Sequence, residues 1–151
     1  MLKNIPKNIS PELMLALMQM GHGDEIVFAD ANFPAESLGR RVIRADGDTV
    51  TELLESIMPF FSLDNFVSEN VILMSVVPGK GEEPKVWSKY REIIENNNLE
   101  KSFNDFKFID RESFYERSKK AFAVVATGER EKYANIILKL GVVEEEQNEN
   151  F

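Results

Sequence analysis

The feature that most constrains the fold is a run of apolar residues in the middle of the chain, Val71 to Val77 (VILMSVV), interrupted only by Ser75. This run does not alternate as a half-exposed strand would, so both of its faces must be covered. Such strands are typical of mainly parallel sheets that carry helices on both sides. We therefore predict a strand here and expect it to be central in the sheet.

Strand and helix patterns alternate along the rest of the chain. The predicted strands are 25–29 (EIVFA), 41–45 (RVIRA), 71–77, 106–109 (FKFI), 122–127 and 136–143. The predicted helices are 11–20, 49–58, 86–94 and 112–121. Ser10 as N-cap and Pro11 mark the start of the first helix, and Gly21 follows its end. The alternation predicts an α/β fold, a three-layer sandwich around a mainly parallel sheet.

Composition limits the number of domains and the partners. The chain has 151 residues, enough for one compact domain, which we place at 1–143, with an acidic tail at 144–151. Its 26 acidic and 18 basic residues give a net charge of −8, which repels nucleic acid and anionic membrane surfaces, so we expect neither as a partner. The absence of cysteine and of a signal-peptide pattern predicts a cytoplasmic protein.

The inventory of chemically reactive side chains is small. One histidine and no cysteine argue against a metal site of the usual type. Motifs for a serine nucleophile elbow, a zinc-protease helix and a phosphate loop are absent. We therefore predict chemistry that needs no metal or other cofactor.

The single histidine, His22, lies between Gly21 and Gly23, just after the first predicted helix. The flanking glycines leave the imidazole uncrowded, and an imidazole exchanges protons near neutral pH, so His22 is a candidate proton-transfer residue. It could equally be a helix C-cap that faces the negative end of the helix dipole. The residues alone weigh the two interpretations evenly.

Two charged residues follow predicted strands: Asp30 follows 25–29, and Arg111 comes shortly after 106–109. Open α/β sheets bind ligands at the carboxyl ends of their strands, so both residues suit a polar pocket. The alternatives are a turn or helix cap for Asp30 and a surface ion pair for Arg111. Taken singly, each alternative is the more frequent outcome.

Tyr115, Tyr133 and Asn135 are further candidates for a polar pocket. A phenol offers an aromatic body to lie against a sugar ring and a hydroxyl that binds the sugar or relays a proton. A tyrosine at helical spacing is more often a core residue. Without further information, packing is therefore the favoured interpretation of both tyrosines.

Four segments, in order along the chain, resemble the family of L-fucose mutarotases and D-ribose pyranases. They are 9–34 (ISPELMLALMQMGHGDEIVFADANFP), 41–47 (RVIRADG), 111–129 (RESFYERSKKAFAVVATGE) and 133–142 (YANIILKLGV). The combination of GHGDE with DANFP is highly specific, and YERSKKAF indicates the fucose branch. The resemblance covers nearly the whole chain, apart from the region around 79–105 and the acidic tail.

The resemblance implies a role for each matching position. His22 matches the proton donor of the family, and Tyr115 matches its second catalytic residue. The matching substrate-binding positions are Asp30, Arg111, Tyr133 and Asn135, and less closely Asp64 and Met74. Arg111 stands where the fucose branch has arginine and the ribose branch has histidine, which favours fucose as substrate.

The implied function is interconversion of the α and β anomers of L-fucose by ring opening and closure, without a cofactor. Family members form ring-shaped homo-oligomers, typically decamers of two stacked pentamers, with the sugar site at a subunit interface. Two alternatives stay open: a D-ribose pyranase, and a sugar-binding regulatory module that does not catalyse the exchange.

Overall fold

A six-stranded β-sheet organises the chain in the computed structural model, which describes residues 1–144. The strands are β1 (Glu25–Ala29), β2 (Val42–Ala45), β3 (Val71–Met74), β4 (Lys107–Ile109), β5 (Ala123–Thr127) and β6 (Ile136–Lys139). The helices are α1 (Pro11–Gln19), α2 (Ala35–Leu38), α3 (Val50–Ile57), α4 (Val86–Asn96) and α5 (Arg111–Lys120), with a 3₁₀ turn at Met58–Phe60.

The strands follow the order β2-β5-β1-β6-β3-β4, and one of them runs against the rest. The pairs β2–β5, β5–β1 and β3–β4 are parallel, whereas β6 is antiparallel to both of its neighbours, β1 and β3. The carboxyl ends of the five parallel strands therefore share one edge of the sheet. The amino end of β6 lies at that same edge.

Helices cover both faces of the sheet because successive strand residues point to opposite sides. Ile26 and Phe28 of β1 belong to the core that packs against α1, α3 and α4. Val27 and Ala29 belong to the second core, where Phe114 of α5 packs. The predicted α/β class, the mainly parallel sheet and the three-layer arrangement are confirmed.

Side-chain caps determine where three helices begin. Ser10, Thr49 and Asp110 each accept a hydrogen bond from the backbone N–H three residues later, at 3.1, 3.1 and 2.7 Å. Each cap satisfies one N–H group that a helix start leaves free, an effect of about 1 kcal/mol. The Asp110 cap also matters for function, since it makes Arg111 the first residue of α5, just after β4.

Some sequence-based predictions differ from the structure. The expectation that the strand beginning at Val71 is central is wrong. The central pair is β1 and β6, and β3 lies next to the outermost strand, β4. Strand β3 also ends at Met74 rather than at Val77, and the Ser75 N–H makes a last hydrogen bond to Ile109 of β4. The short helix α2 was not predicted, and residues 145–151 of the expected acidic tail lie outside the described residues.

Within residues 1–144, no helix is long and apolar enough to cross a membrane.

Gly128 lies where the loop after β5 crosses close to the backbone of residues 46–48. A Cβ atom at Gly128 would overlap the carbonyl oxygen of Asp46, whereas a Cβ at the neighbouring Gly47 would have no atom within 4 Å. We predict that Gly128→Ala lowers the free energy of unfolding by about 2 kcal/mol or more, because two backbone segments must separate. Gly47→Ala should change it by less than about 1 kcal/mol. Urea denaturation of both variants measures the difference, and equal midpoints would contradict the prediction.

Candidate active site

A cleft of about 950 Å³ opens at the sheet edge where the parallel strands end. Its walls come from the segments that follow β1, β3 and β4, from the first turns of α5, and from the residues that precede β6. The lining residues are Asp30, Asn32, Phe33, Met74, Val77, Lys80, Asp110, Arg111, Glu112, Tyr115, Lys132, Tyr133 and Asn135. The cleft thus lies where ligands bind in open α/β sheets.

Six of the eight residues singled out from the sequence meet in this cleft. They are Asp30, Met74, Arg111, Tyr115, Tyr133 and Asn135. They are far apart in sequence, and the common edge of the parallel strands brings them together. The other two, His22 and Asp64, do not line the cleft.

Asp30 and Asn135 form the buried floor of the cleft, with 7% and 3% of their surface exposed. The backbone N–H of Asp30 donates to Asn135 Oδ1 at 2.7 Å, and the Asp30 carboxylate accepts the N–H of Asn32 at 3.0 Å. Burial raises the pKa of Asp30, and the hydrogen bonds it accepts only partly oppose this effect. A carboxyl group of this kind holds a proton to higher pH than a surface aspartate does.

Tyr115 and Arg111 reach the cleft from the start of α5. The Tyr115 ring packs edge-on against Phe33, with 5.3 Å between centroids and 88° between planes, which restrains the phenol. Arg111 is exposed, and in the described part of the chain no carboxylate lies within 4.0 Å of its guanidinium group. The surface ion pair considered for Arg111 is therefore not formed among residues 1–144, and its donors can bind a ligand.

His22 and Asp64 lie together at the opposite edge of the sheet. His22 Nε2 is 3.1 Å from Asp64 Oδ1, and the same oxygen accepts the N–H of Phe66 at 3.0 Å. The imidazole side chain is 44% exposed and the carboxylate only 3% exposed. The Phe66 ring lies beside the imidazole, with centroids 4.9 Å apart. Since His22 precedes β1 and Asp30 follows it, the length of a five-residue strand, about 17 Å, separates the two.

Several cleft residues were not identified from the sequence. Asn32 and Phe33 stand in the DANFP segment, from which only Asp30 was selected, and Phe33 supports Tyr115. Lys80 comes from the loop after β3, where no family pattern was recognised, and Lys132 directly precedes Tyr133. Asn32 and Phe33 thus stood within a recognised motif, whereas Lys80 and Lys132 enter the cleft through the paths of their loops, which no local pattern shows.

The cleft offers hydrogen-bonding and proton-carrying groups: carboxyl groups, phenols, two amides, ammonium groups and a guanidinium group. Such groups bind hydroxyls and move protons between oxygen atoms. Within residues 1–144, no three His, Asp or Glu side chains are grouped as a metal ion would require. The polar side chains of the cleft can therefore bind a polyhydroxylated ligand and transfer protons on it.

Comparison with known proteins agrees with this geometry. The model of the RbsD / FucU transport protein family matches residues 3–143. The structure of the fucose mutarotase from Streptococcus pneumoniae in complex with L-fucose is similar, with 52% identity, 95% of this chain and 100% of that chain covered, and a TM-score of 0.89. FucU from Bifidobacterium longum is 43% identical over 94% of this chain and 100% of its own, with a TM-score of 0.88. RbsD from Bacillus subtilis, complexed with D-ribose, shares the fold at 24% identity over 95% and 100%, with a TM-score of 0.67.

The raised pKa of Asp30 predicts a pH-dependent stability. Because the folded state holds this proton more tightly than the unfolded chain does, the resulting stabilisation is complete below the ordinary pKa of 3.8 and is lost as pH rises through the raised value. Asp30→Asn removes the buried charge and keeps an oxygen that accepts the Asn32 N–H. We predict that this variant has a higher Tm than the wild type at neutral pH and that the difference shrinks as pH falls.

Asp110→Asn serves as the matched control in these thermal unfolding measurements. The Ser113 N–H lowers the pKa of Asp110, so its stabilisation is present at neutral pH and is lost as pH falls through the lowered value. The two variants should therefore change stability in opposite directions at neutral pH. A wild type that is more stable than Asp30→Asn at neutral pH would contradict the prediction.

Proposed function

We infer the function of this chain from its family, since it belongs to the RbsD / FucU family, and we propose that it is a mutarotase that interconverts the α and β anomers of L-fucose. The observation that carries the proposal is the cleft in which Asp30, Arg111 and Tyr115 meet, in a chain 52% identical to a fucose mutarotase. The enzyme is an isomerase.

The reaction needs two proton transfers and no change of oxidation state. The ring oxygen gains a proton while the anomeric hydroxyl loses one, the ring opens to an aldehyde, and rotation followed by reclosure gives the other anomer. An acid and a base on opposite sides of the sugar are sufficient, and each can contribute roughly 10²- to 10⁴-fold. We therefore propose a mechanism without a cofactor.

The cleft supplies the groups that bind the sugar and one of the groups that moves a proton. Asp30 and Asn135 bind hydroxyls from the buried floor, while Arg111 and Tyr133 bind them from the rim. Met74, the last residue of β3, gives the sugar an apolar surface. Tyr115, restrained by Phe33, acts on one of the two reacting oxygens.

The second proton-transfer group, His22, is out of reach of the cleft of its own chain. About 17 Å of strand separates it from Asp30. Yet its ring is exposed at the surface rather than buried in the core. We propose that each site is completed by the His22 of a neighbouring subunit, in a closed homo-oligomer.

Asp64 orients that imidazole. Its Oδ1 accepts the His22 Nε2–H, so Nδ1 carries the lone pair that exchanges a proton with the sugar. The backbone N–H of Phe66 binds the same oxygen and keeps the carboxylate in place. We therefore assign Asp64 to the site through His22, on the surface that meets the neighbouring subunit, and expect any direct contact with the sugar to be made there.

The assembly and the location follow from the family and the composition. We propose a ring-shaped decamer of two stacked pentamers, the arrangement implied by the sequence resemblance. We assign residues 1–143 to the mutarotase unit, and the sequence that follows, 144–151, is rich in glutamate. The absence of cysteine suits the reducing cytoplasm, where we place the enzyme.

Two other functions compete with this proposal. A D-ribose pyranase would act on ribose, but Arg111 stands where that branch has histidine. A sugar-binding module would bind L-fucose without accelerating anomeric exchange. The pairing of an exposed imidazole with a buried carboxylate favours catalysis, since binding alone does not require an imidazole that a carboxylate holds in one orientation.

Saturation-transfer NMR on L-fucose tests the activity. The wild type should accelerate exchange between the anomers, and more so on L-fucose than on D-ribose at equal concentration. His22→Ala and Tyr115→Phe should each lower the rate roughly 10²- to 10⁴-fold, because each removes one proton-transfer group. Their Tm values show whether they fold. Wild-type rates in both variants would remove these residues from the mechanism, and a background rate with bound fucose would indicate the binding module.

Hybrid oligomers test whether the site is shared between subunits. Co-expression of His22→Ala with Asp30→Asn should restore about a quarter of the wild-type activity, because random assembly pairs an intact cleft with an intact neighbouring imidazole in that share of sites. Co-expression of His22→Ala with Asp64→Asn is the matched control. Both substitutions damage the same half of the proposed site, the His22–Asp64 pair, so no subunit in the mixture can supply that half intact. The activity of the mixture should therefore not exceed the average of its two parents. Failure of the first mixture to recover would place the whole site within one chain.

A further inference from the structure

The turn that carries two of the sugar-binding residues has an unusual backbone. Tyr133 has φ of 59°, in the left-handed region that bulky side chains rarely adopt. Ala134 and Asn135 follow directly, and Asn135 precedes the start of β6. Such a conformation persists only where surrounding contacts hold it. The contacts that hold this turn therefore decide how Tyr133 and Asn135 are presented.

Two donors from α4 bind consecutive carbonyl groups of this turn. Trp87 Nε1–H donates to the carbonyl of Tyr133 at 2.9 Å, and the Tyr90 hydroxyl donates to the carbonyl of Ala134 at 2.8 Å. Residues three apart lie on the same face of a helix, so one side of α4 presents both donors. The pair determines the orientation of two successive peptide groups.

Neither donor belongs to the cleft. Trp87 and Tyr90 are not among its lining residues. Both pack in the core that lies between the sheet and helices α1, α3 and α4. Trp87 is 6% exposed and Tyr90 is fully buried. Burial, with smaller contributions from the charges of Glu129, Glu131 and Asp30, raises the pKa of Tyr90. The phenol therefore keeps its proton, and remains a donor, to higher pH than a surface tyrosine does.

The turn is also the point at which three walls of the cleft are joined. Asn135 Oδ1 accepts the N–H of Asp30, which connects the turn to the end of β1. The Tyr133 hydroxyl accepts the N–H of Val77 at 3.4 Å, which connects it to the loop after β3. A shift of the turn would move the floor and one rim of the cleft together.

We propose that Trp87 and Tyr90 are positioning residues of the sugar site, which hold the 133–135 turn in the conformation that aims Tyr133 and Asn135 at the substrate. The inference deepens the proposed mutarotase function and rests on it. It differs from a role in core packing, because the hydroxyl and the indole N–H matter here in addition to the volume of the rings.

Tyr90→Phe isolates the hydroxyl and keeps the ring. Because Tyr133 and Asn135 bind the sugar while His22 and Tyr115 move protons, losing the turn geometry should weaken binding more than chemistry. We expect KM for L-fucose in the NMR exchange assay, and Kd by calorimetry, to rise roughly tenfold, and kcat to stay within about twofold. Emission from Trp87, the only tryptophan, should also shift, since its indole binds the turn.

Ser56→Ala is the matched control. It removes a side-chain hydrogen bond to Asn8, 2.7 Å long, on α3, which belongs to the same layer as α4 but does not touch the cleft. It should leave KM, Kd and Trp87 emission unchanged. Trp87→Phe is the second test variant, which keeps an aromatic ring and loses the indole donor. Trp87→Phe should raise KM in the same way, and it therefore provides the test if Tyr90→Phe does not fold.

The outcomes separate this inference from the function on which it rests. A folded Tyr90→Phe or Trp87→Phe variant with wild-type KM and Kd would overturn the inference and leave the proposed function standing. So would a loss confined to kcat. A wild type that binds L-fucose without exchanging its anomers would contradict the proposed function alone, and Kd would still test the positioning role.

Discussion

The antiparallel pairing of β1 with β6 at the centre of the sheet is the constraint on which the rest of the site depends. Because the two strands run in opposite directions, the end of β1 meets the start of β6, and Asp30 binds Asn135 there. At the other edge the start of β1 meets the end of β6, and Gly23 donates its N–H to Leu140 beside the His22 pair. One pair of strands thus places the Asp30–Asn135 floor of the cleft and the imidazole a full strand length apart.

The cleft is maintained at a cost in stability that the surrounding structure must offset. Asp30 is a carboxylate in a buried environment, and Tyr133 is a bulky residue with a left-handed backbone. Hydrogen bonds hold both features in place, since the Asp30 N–H binds Asn135 beside β6 and the Tyr90 hydroxyl ties Ala134 to α4. Function and strain coincide here because a group exposed to solvent on a relaxed loop would neither shift its pKa nor hold one orientation.

Local sequence patterns predicted most of the fold because apolar periodicity and caps are local signals. The continuous run at 71–77 correctly indicated a doubly covered strand, but strand order depends on crossovers, so its position in the sheet could not be read from it. The direction of β6 could not be predicted either, because a buried apolar run has the same pattern in a parallel strand and in an antiparallel strand. The four-residue helix α2 is too short to show a period.

The candidate site could be predicted only in part, for a related reason. Residues in motifs or after strands were found, and six of them share the cleft. From the sequence, Trp87 and Tyr90 were only part of the predicted helix 86–94. That prediction is correct as far as it goes, but it does not reveal that their rings are core residues and that their polar atoms serve the turn. A donor that acts through a backbone carbonyl leaves no pattern in its own sequence neighbourhood.

The position of His22 excludes one of the two interpretations that the sequence left open, the helix cap. Helix α1 ends at Gln19 and its C-cap is Met20, so His22 lies beyond the cap, and its ring binds Asp64 instead of the helix end. The buried Asp64 carboxylate, itself held by the Phe66 N–H, keeps the half-exposed imidazole in one orientation. The proposed assembly brings the cleft of a second subunit against this ring. In that proposal the imidazole and the Asp30 cleft are two halves of one site, formed at opposite ends of strand β1 and joined only by assembly.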